Sequence, residues 1–474
     1  MNTRSVLLLV LVVGVAGAFA LLSSPKDNVQ PNQQPSQGAT KPETVVASAA
    51  PGVPSASGTR EPFAKAAECR TCHESEYTEW QRSRDLSTKP PQELLARAVE
   101  LIDSQNDDSM VEAKTILERL IAKDPRFDAA YVELARVAMK TNWGTEGLHQ
   151  AESLLSSALQ IDPQSANAKI LMGYVYVHQK RYAQAESLFA DAARSNPPNL
   201  WLWANWGELL AAQGKLDQAT LKYREAVTRP RPQGTYDRAR LDALNHLVML
   251  FEKRNDIDGT EAMMKQREEE YGPGRCFSTD YARFLLEKRG DVATSIKVSS
   301  GVVGTTCSRE KEARQVLGMG YYMMWAGATG AQRNEALNQA RVYLPAGPMP
   351  LYLLAASERT LPAAKQLIAA GEKIDQTDNE GLNALAYAIQ HEDLAVAKRL
   401  LQLGAKPDTT VGYGEMPVAL MAVMSGNVEA IRLMQQYGAD YRKLRYQGAT
   451  AFDVAKGSGD NKLLEVLNHK APVL

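Results

Sequence analysis

Cysteine and histidine are scarce in this chain, four and six residues out of 474. That scarcity narrows the chemistry. No second C-x-x-C accompanies the pair at Cys69 and Cys72, so a closed zinc site built from two such pairs has no basis. Five of the histidines (His149, His178, His246, His391 and His469) stand alone. A lone histidine on a helix is more often a surface or packing residue than a ligand. Also missing are a Ser/His/Asp arrangement with motif context, a phosphate-cradling glycine loop and a carboxylate pair with a reason to be paired. The chain therefore reads as a non-enzyme. An excess of one charge sign is lacking too: the formal net charge is −1, which gives no global field favouring nucleic acid.

What is present begins with an export segment. Arg4 precedes an apolar and small-residue run of 17, Val6–Leu22. The run sits between a signal-peptide core and a short membrane span. Ala18-Phe19-Ala20 offers a small-x-small cleavage site, and no cysteine follows it to carry a lipid. Residues 1–24 are thus expected to be a signal peptide or a membrane anchor. Either one puts the remainder across the membrane, in a bacterium the periplasm, with Arg4 on the cytoplasmic side. Residues 25–60 hold six prolines and almost no large apolar side chains. Such a segment cannot bury enough surface to order itself, and it reads as a linker spanning roughly 35 Å. A tether makes most sense if residues 6–22 stay in the inner membrane.

Residues 61–90 carry Cys69-Arg-Thr-Cys72-His73. C-x-x-C-H is the attachment motif of c-type haem. Two thiols on a short turn meet the two vinyl groups, and the adjacent histidine lies under the iron. The stretch through Tyr77, Trp80, Ser83 and Asp85 resembles the C-x-x-C-H-x-x-x-Y-x-x-W-x-x-S-x-H signature of multihaem c-type cytochromes. The resemblance covers about 25 residues, the motif occurs once rather than several times, and Asp85 replaces the last histidine. It implies one covalent haem c on Cys69 and Cys72 with His73 as iron ligand. With no local strong-field sixth ligand, the iron is expected to be five-coordinate or water-ligated. A Cys69–Cys72 disulfide and half of a zinc site are the alternatives.

Periodicity governs the rest. In Ala166–Gln233, two 34-residue units lie back to back. Gly173, Tyr176, Ala185, Phe189, Ala192 and Pro197 fill positions 8, 11, 20, 24, 27 and 32 of the first unit. Trp203, Gly207, Ala219, Tyr223 and Ala226 fill positions 4, 8, 20, 24 and 27 of the second. Small residues let two antiparallel helices approach, large ones fill the space between hairpins, and proline stops the second helix. The pattern resembles the tetratricopeptide repeat. Gln92–Pro125 and Phe127–Pro163 read as two weaker copies, the latter with about four extra residues placed at the turn near Trp143-Gly144. Repeats are expected over 91–233. The resemblance implies a groove lined by positions 2, 5, 9, 12 and 13, here including Val132, Met139, Asn167 and Ile170. Arg136, Tyr174, His178, Trp201 and Glu208 are its candidate partner-binding residues.

Residues 234–346 stay helical but carry no full signature. Hairpins are expected at Arg240–Lys253 with Thr260–Glu270, Tyr281–Lys288 with Val292–Val303, and Lys311–Trp325 with Asn334–Leu344. Cys276 and Cys307 flank the middle one at the same end, where a disulfide would fit an exported chain; two buried thiols are the alternative. Over 347–474 the period becomes about 33, marked by Gly371, Gly404 and Gly438 and by Gly381, Gly414 and Gly448. This resembles ankyrin repeats, with the family's Thr-Pro-Leu-His worn to Asn383–Ala386, Met416–Ala419 and Thr450–Asp453.

The expected fold is therefore all-α, a tetratricopeptide-like solenoid followed by an ankyrin stack. Two functional readings stay open. One is a membrane-tethered scaffold that grips protein partners, with the haem as an accessory. The other is a monohaem electron-transfer or sensor protein docked by its repeats.

Overall fold

The structure is a computed structural model that describes residues 89–104, 107–230, 238–412 and 414–469. The leader, the linker and the motif residues Cys69, Cys72 and His73 lie outside the described residues. The chain forms two compact units that divide between Arg254 and Asn255.

The first unit consists of paired antiparallel helices. These are α1 (Pro91–Ser104) with α2 (Asp107–Lys123), α3 (Asp128–Thr141) with α4 (Thr145–Ile161), α5 (Ala166–His178) with α6 (Tyr182–Arg194) and α7 (Trp201–Ala212) with α8 (Leu216–Thr228), followed by α9 (Arg238–Lys253). The first and second helices of a pair differ for a physical reason. α5 buries Ala168, Ile170, Met172, Gly173, Val175 and Val177, so it is apolar on most sides. α6 buries only Ala185, Phe189 and Ala192, a single stripe at helical spacing.

Glycine at position 8 sets the distance within a pair. A Cβ added to Gly173 would lie 2.5 Å from the Phe189 ring, and one on Gly207 would lie 2.6 Å from the Tyr223 ring. Phe189 and Tyr223 thus fill their own hairpin as well as the gap to the next one. Phe189 stacks on Trp206, with ring centroids 6.3 Å apart, and Tyr223 stacks on His246 at 4.8 Å. The extra length of the second repeat lies in its second helix rather than in its turn. α4 has 17 residues against 13 in α6 and α8, and the turn is only Asn142-Trp143-Gly144. Extra helical residues complete backbone hydrogen bonds, whereas a longer loop would have left them to water.

The tetratricopeptide signature fades after 233, yet the first compact unit runs through α9. α9 buries Ala239, Ala243, Leu244 and Leu247 and presents His246 to Tyr223 of the preceding repeat.

The second unit opens with α10 (Ile257–Tyr271), α11 (Ser278–Phe284, running on as a π-turn through Arg289), α12 (Val292–Ser300), α13 (Glu310–Gly327) and α14 (Gly330–Tyr343). Cys276 and Cys307 are joined by a disulfide between Cα atoms 5.4 Å apart, bracketing α11 and α12. The α13–α14 pair repeats the glycine device: a Cβ on Gly318 would meet the Leu344 Cβ at 2.3 Å, and the Tyr322 hydroxyl donates to the Leu344 carbonyl at 3.0 Å.

Four shorter pairs complete the ankyrin stack. They are α15 (Pro348–Leu354) with α16 (Leu361–Ala369), α17 (Ala384–Gln390) with α18 (Leu394–Gln402), α19 (Val418–Met424) with α20 (Val428–Gln436), and α21 (Ala451–Ser458) with α22 (Asn461–Asn468). Two of the three worn tetrapeptides keep a capping role, while Met416–Ala419 makes no side-chain cap. Asn383 accepts from the Ala386 N–H, and Thr450 with Asp453 forms a reciprocal capping box. Among the described residues, strand is confined to two two-residue hairpins, Thr410–Val411 with Met416–Pro417 and Arg445–Tyr446 with Ala449–Thr450.

Two predictions test this packing. Gly173→Val should destabilise the first unit by about 1–3 kcal/mol through overpacking. Adding Phe189→Leu should recover part of that loss, as read by denaturant unfolding. Replacing Cys276 and Cys307 together with serine should lower stability by about 3–4 kcal/mol in the chain-entropy model, while the far-ultraviolet circular dichroism stays helical.

Candidate binding groove of the first unit

The inner face of the first unit brings together side chains far apart in sequence. Position 9 immediately follows the position-8 glycine, so packing of that glycine fixes where the next side chain points. Tyr174 follows Gly173, Glu208 follows Gly207, and Asp242 stands at the same position of the next repeat. Position 13, one turn further on, places His178 and His246 beside them.

These residues form one connected cluster. The His178 Nε2 lies 3.5 Å from Glu208 Oε1, and the His246 Nε2 lies 3.5 Å from Asp242 Oδ2. Neither contact is a hydrogen bond, and the His178 Nε2 is buried without one. The Tyr174 and His178 rings meet edge to face with centroids 4.5 Å apart. Trp143 completes an aromatic corner, 4.9 Å from His178 and 6.0 Å from Tyr174. Its turn is held by close backbone approach: a Cβ on Gly147 would sit 1.8 Å from the Asn142 carbonyl oxygen. Trp143 is 57% exposed, so it forms the lip of the corner rather than its floor.

Burial governs the electrostatics. The side chains of Glu208 and Asp242 keep 31% and 40% of their surface in contact with water. The surrounding protein nevertheless desolvates both. Desolvation, then the charge of Asp242, pushes the Glu208 carboxyl up to about 7. Desolvation raises Asp242 as well, with His246 opposing. Burial lowers His178 and keeps it neutral. The Tyr174 hydroxyl is raised by burial and then by the two carboxylates. The Tyr223 hydroxyl, raised for the same reasons, is buried with no hydrogen-bond partner.

Of the five groove residues expected from the sequence, Tyr174, His178 and Glu208 meet here. Arg136 is engaged elsewhere. It donates to Glu133 at 2.6 Å and to Asp103 at 2.7 Å, and burial of its charge is outweighed by these two acids. Arg136 belongs to a basic end of the inner face with Lys140 and Arg238. Lys140 is lowered by desolvation and by those two arginines, and the Arg238 guanidinium donates to the Asp103 carbonyl at 2.7 Å. Trp201 stands in the first turn of α7, 39% exposed, two turns from Glu208. Asp242, His246 and Trp143 were not in the expected set. The first two could have been found by continuing the 34-residue period beyond 233. The haem ligands Cys69, Cys72 and His73 lie outside the described residues.

The comparisons with known proteins agree with the two repeat classes. Residues 148–198 match the tetratricopeptide repeat family, and residues 326–411 match a family of ankyrin repeats in three copies. Neither match reaches the C-x-x-C-H motif. Among curated proteins, the chain is similar to the chloroplastic PsbB mRNA maturation factor Mbb1 of Chlamydomonas reinhardtii, 36% identical over 78 residues, which is 16% of this chain. The match spans 12% of that relative's length. Among solved structures, it is similar to a thermophilic tetratricopeptide repeat protein of Thermus thermophilus, with 21% identity, a TM-score of 0.35, and coverage of 42% of this chain and 100% of the other. It is also similar to Pseudomonas aeruginosa pilF, with 15% identity, a TM-score of 0.34, and coverage of 52% and 99%. The chain is built of helical repeats, tetratricopeptide-like in one part and ankyrin in another.

The raised Glu208 acid predicts a pH dependence. Folding favours its protonated form, so its contribution to stability is greatest below its ordinary value of 4.5 and is lost as pH rises through about 7. Glu208→Gln should therefore show a smaller fall in Tm between pH 5 and pH 8 than the parent.

Proposed function

We propose that this chain is a periplasmic scaffold, tethered to the inner membrane by residues 6–22, that binds protein partners through the inner face of its first unit and carries one covalent haem c on Cys69, Cys72 and His73. The observation that carries the binding reading is the convergence of Trp143, Tyr174, His178 and Glu208 on one accessible corner. Exposed aromatic rings beside charged groups are the residue mix of binding hot spots. A repeat surface serves such a role because its side chains are displayed at a fixed interval on a framework that does not need them for folding. The haem and the tether rest on the sequence: an apolar leader, a proline-rich spacer and one C-x-x-C-H in an exported setting.

The experiment has two arms, both on the full chain expressed with the bacterial haem-attachment machinery. In the first, partners are cross-linked in intact cells and compared between the parent, Tyr174→Ala and Trp201→Ala. Loss of a partner in Tyr174→Ala with unchanged Tm is expected; an identical partner set in both variants would exclude the inner face. In the second, the mass and visible spectrum are taken. A covalent haem mass, absent in Cys72→Ser, is expected. A mature chain with no added mass would refute attachment.

A further inference from the structure

The groove is electrically incomplete. Glu208 of α7 and Asp242 of α9 are both desolvated, and the charge of Asp242 adds to the rise that desolvation gives Glu208. Among the described residues, their ion-pair contacts are histidines 3.5 Å away: His178 beside Glu208, lowered by burial, and His246 beside Asp242, which opposes the rise of that acid. Among the described residues, no lysine or arginine pairs with either acid. A carboxylate partly withdrawn from water gains from a matching cation, which returns some of the solvation it has lost. Two further groups at the same place lack partners: the buried His178 Nε2 and the hydroxyl of the fully buried Tyr223. The Tyr223 ring lies under Gly207 and against His246, and both carboxylates act on its hydroxyl.

The walls complete the description of a ligand. Trp143, Tyr174 and His178 offer ring faces and edges at mutual distances of 4.5 to 6.0 Å. Such a corner suits a cation on an apolar stem, because ring faces attract positive charge and the stem covers apolar surface. A bare metal ion fits poorly: no three His, Cys, Asp or Glu side chains among the described residues come together to hold one. The unmet acceptors call instead for an occupant that brings several N–H donors at once, as a guanidinium or ammonium does.

We infer that the corner formed by Trp143, Tyr174, His178, Glu208 and Asp242 is a pocket for a lysine or arginine side chain presented by an extended basic segment of a partner protein. This rests on the inner face being the binding surface and adds the chemistry of what it grips. The cation sits against Glu208, beside His178 and with its stem along Trp143, and Asp242 adds to the negative field it meets. Its arrival favours the ionised forms of Glu208 and Asp242, so binding releases protons. The groups that face the acids are Tyr174 and His178 of α5, Tyr223 of α8 and His246 of α9. The tyrosines stay protonated throughout and burial lowers His178, so Glu208, pushed up to about 7, is the group whose proton release the two acid variants isolate.

The test uses the full chain and two synthetic probes: a capped Gly/Ser dodecapeptide carrying three arginines, and the same peptide with citrulline, the neutral isostere, at those positions. Calorimetry should detect binding of the arginine peptide only. Affinity should rise at least tenfold from pH 5.5 to pH 8, with proton uptake by the buffer. Glu208→Gln and Asp242→Asn should each weaken binding tenfold or more, while Glu118→Gln, an exposed acid on α2, should change it less than twofold. Equal binding of the citrulline peptide would overturn the inference. So would no binding of either peptide, or equal losses in Glu118→Gln and Glu208→Gln. If these fail while Tyr174→Ala still loses its cellular partner, the cation pocket is wrong and the binding face stands. If Tyr174→Ala keeps every partner, the face itself is wrong.

Discussion

The two clearest repeats of the first unit depend on an aromatic ring lying across a glycine. Phe189 on Gly173 and Tyr223 on Gly207 leave no room for even one added methyl group. That contact sets the separation of the two helices in a pair. The far side of the same ring receives the next hairpin, through Trp206 or His246. It also fixes the inner face, because the residue after each glycine is turned by about 100° around the helix axis. Tyr174 and Glu208 are therefore placed by packing that lies behind them. A binding residue on such a framework can change freely, since the core contact is made by its neighbour in sequence.

This arrangement explains what was legible in the sequence. Small residues at positions 8 and 20 and large ones at 24 are strong signals because volume there is constrained from both sides. They identified the hairpins around Ala166–Gln233, and the glycine period identified the ankyrin stack. The groove was legible only while the signature lasted. In α9, position 8 is Leu241 rather than glycine, so the pattern lapsed and Asp242 and His246 were passed over. Periodicity gives Arg136 a groove position, but its engagement with Glu133 and Asp103 depends on a neighbouring helix that periodicity does not describe. The extra residues of the second repeat were assigned to the turn because insertions usually fall there. They lengthen α4 instead, and Trp143 gains its exposed position from a turn of only three residues.

The two repeat classes solve the problem of short helices differently. The hairpins of the first unit use 12- to 17-residue helices and few side-chain caps. The ankyrin helices have seven to nine residues, too short to persist alone. Their first turns are held by Asn383, Asp393, Asn427, Thr450 and Asp460, each accepting a backbone N–H. In two of the three tetrapeptides the first residue, Asn383 or Thr450, supplies the capping oxygen; Met416 at the third has none to offer.

One contact at the basic end of the inner face bears on time rather than affinity. The Arg238 guanidinium reaches the Asp103 carbonyl across 135 residues of sequence, linking the first and last helices of the unit by an exposed hydrogen bond. A link of that kind contributes on the order of 1 kcal/mol, so thermal fluctuation breaks it readily. A segment lying along the inner face would be fastened behind a clasp that opens often and recloses. Such a clasp lengthens the residence of whatever is inside by a modest factor without barring its entry, and it lets the row of helices loosen at one end while the ring-on-glycine contacts hold α5 to α6 and α7 to α8.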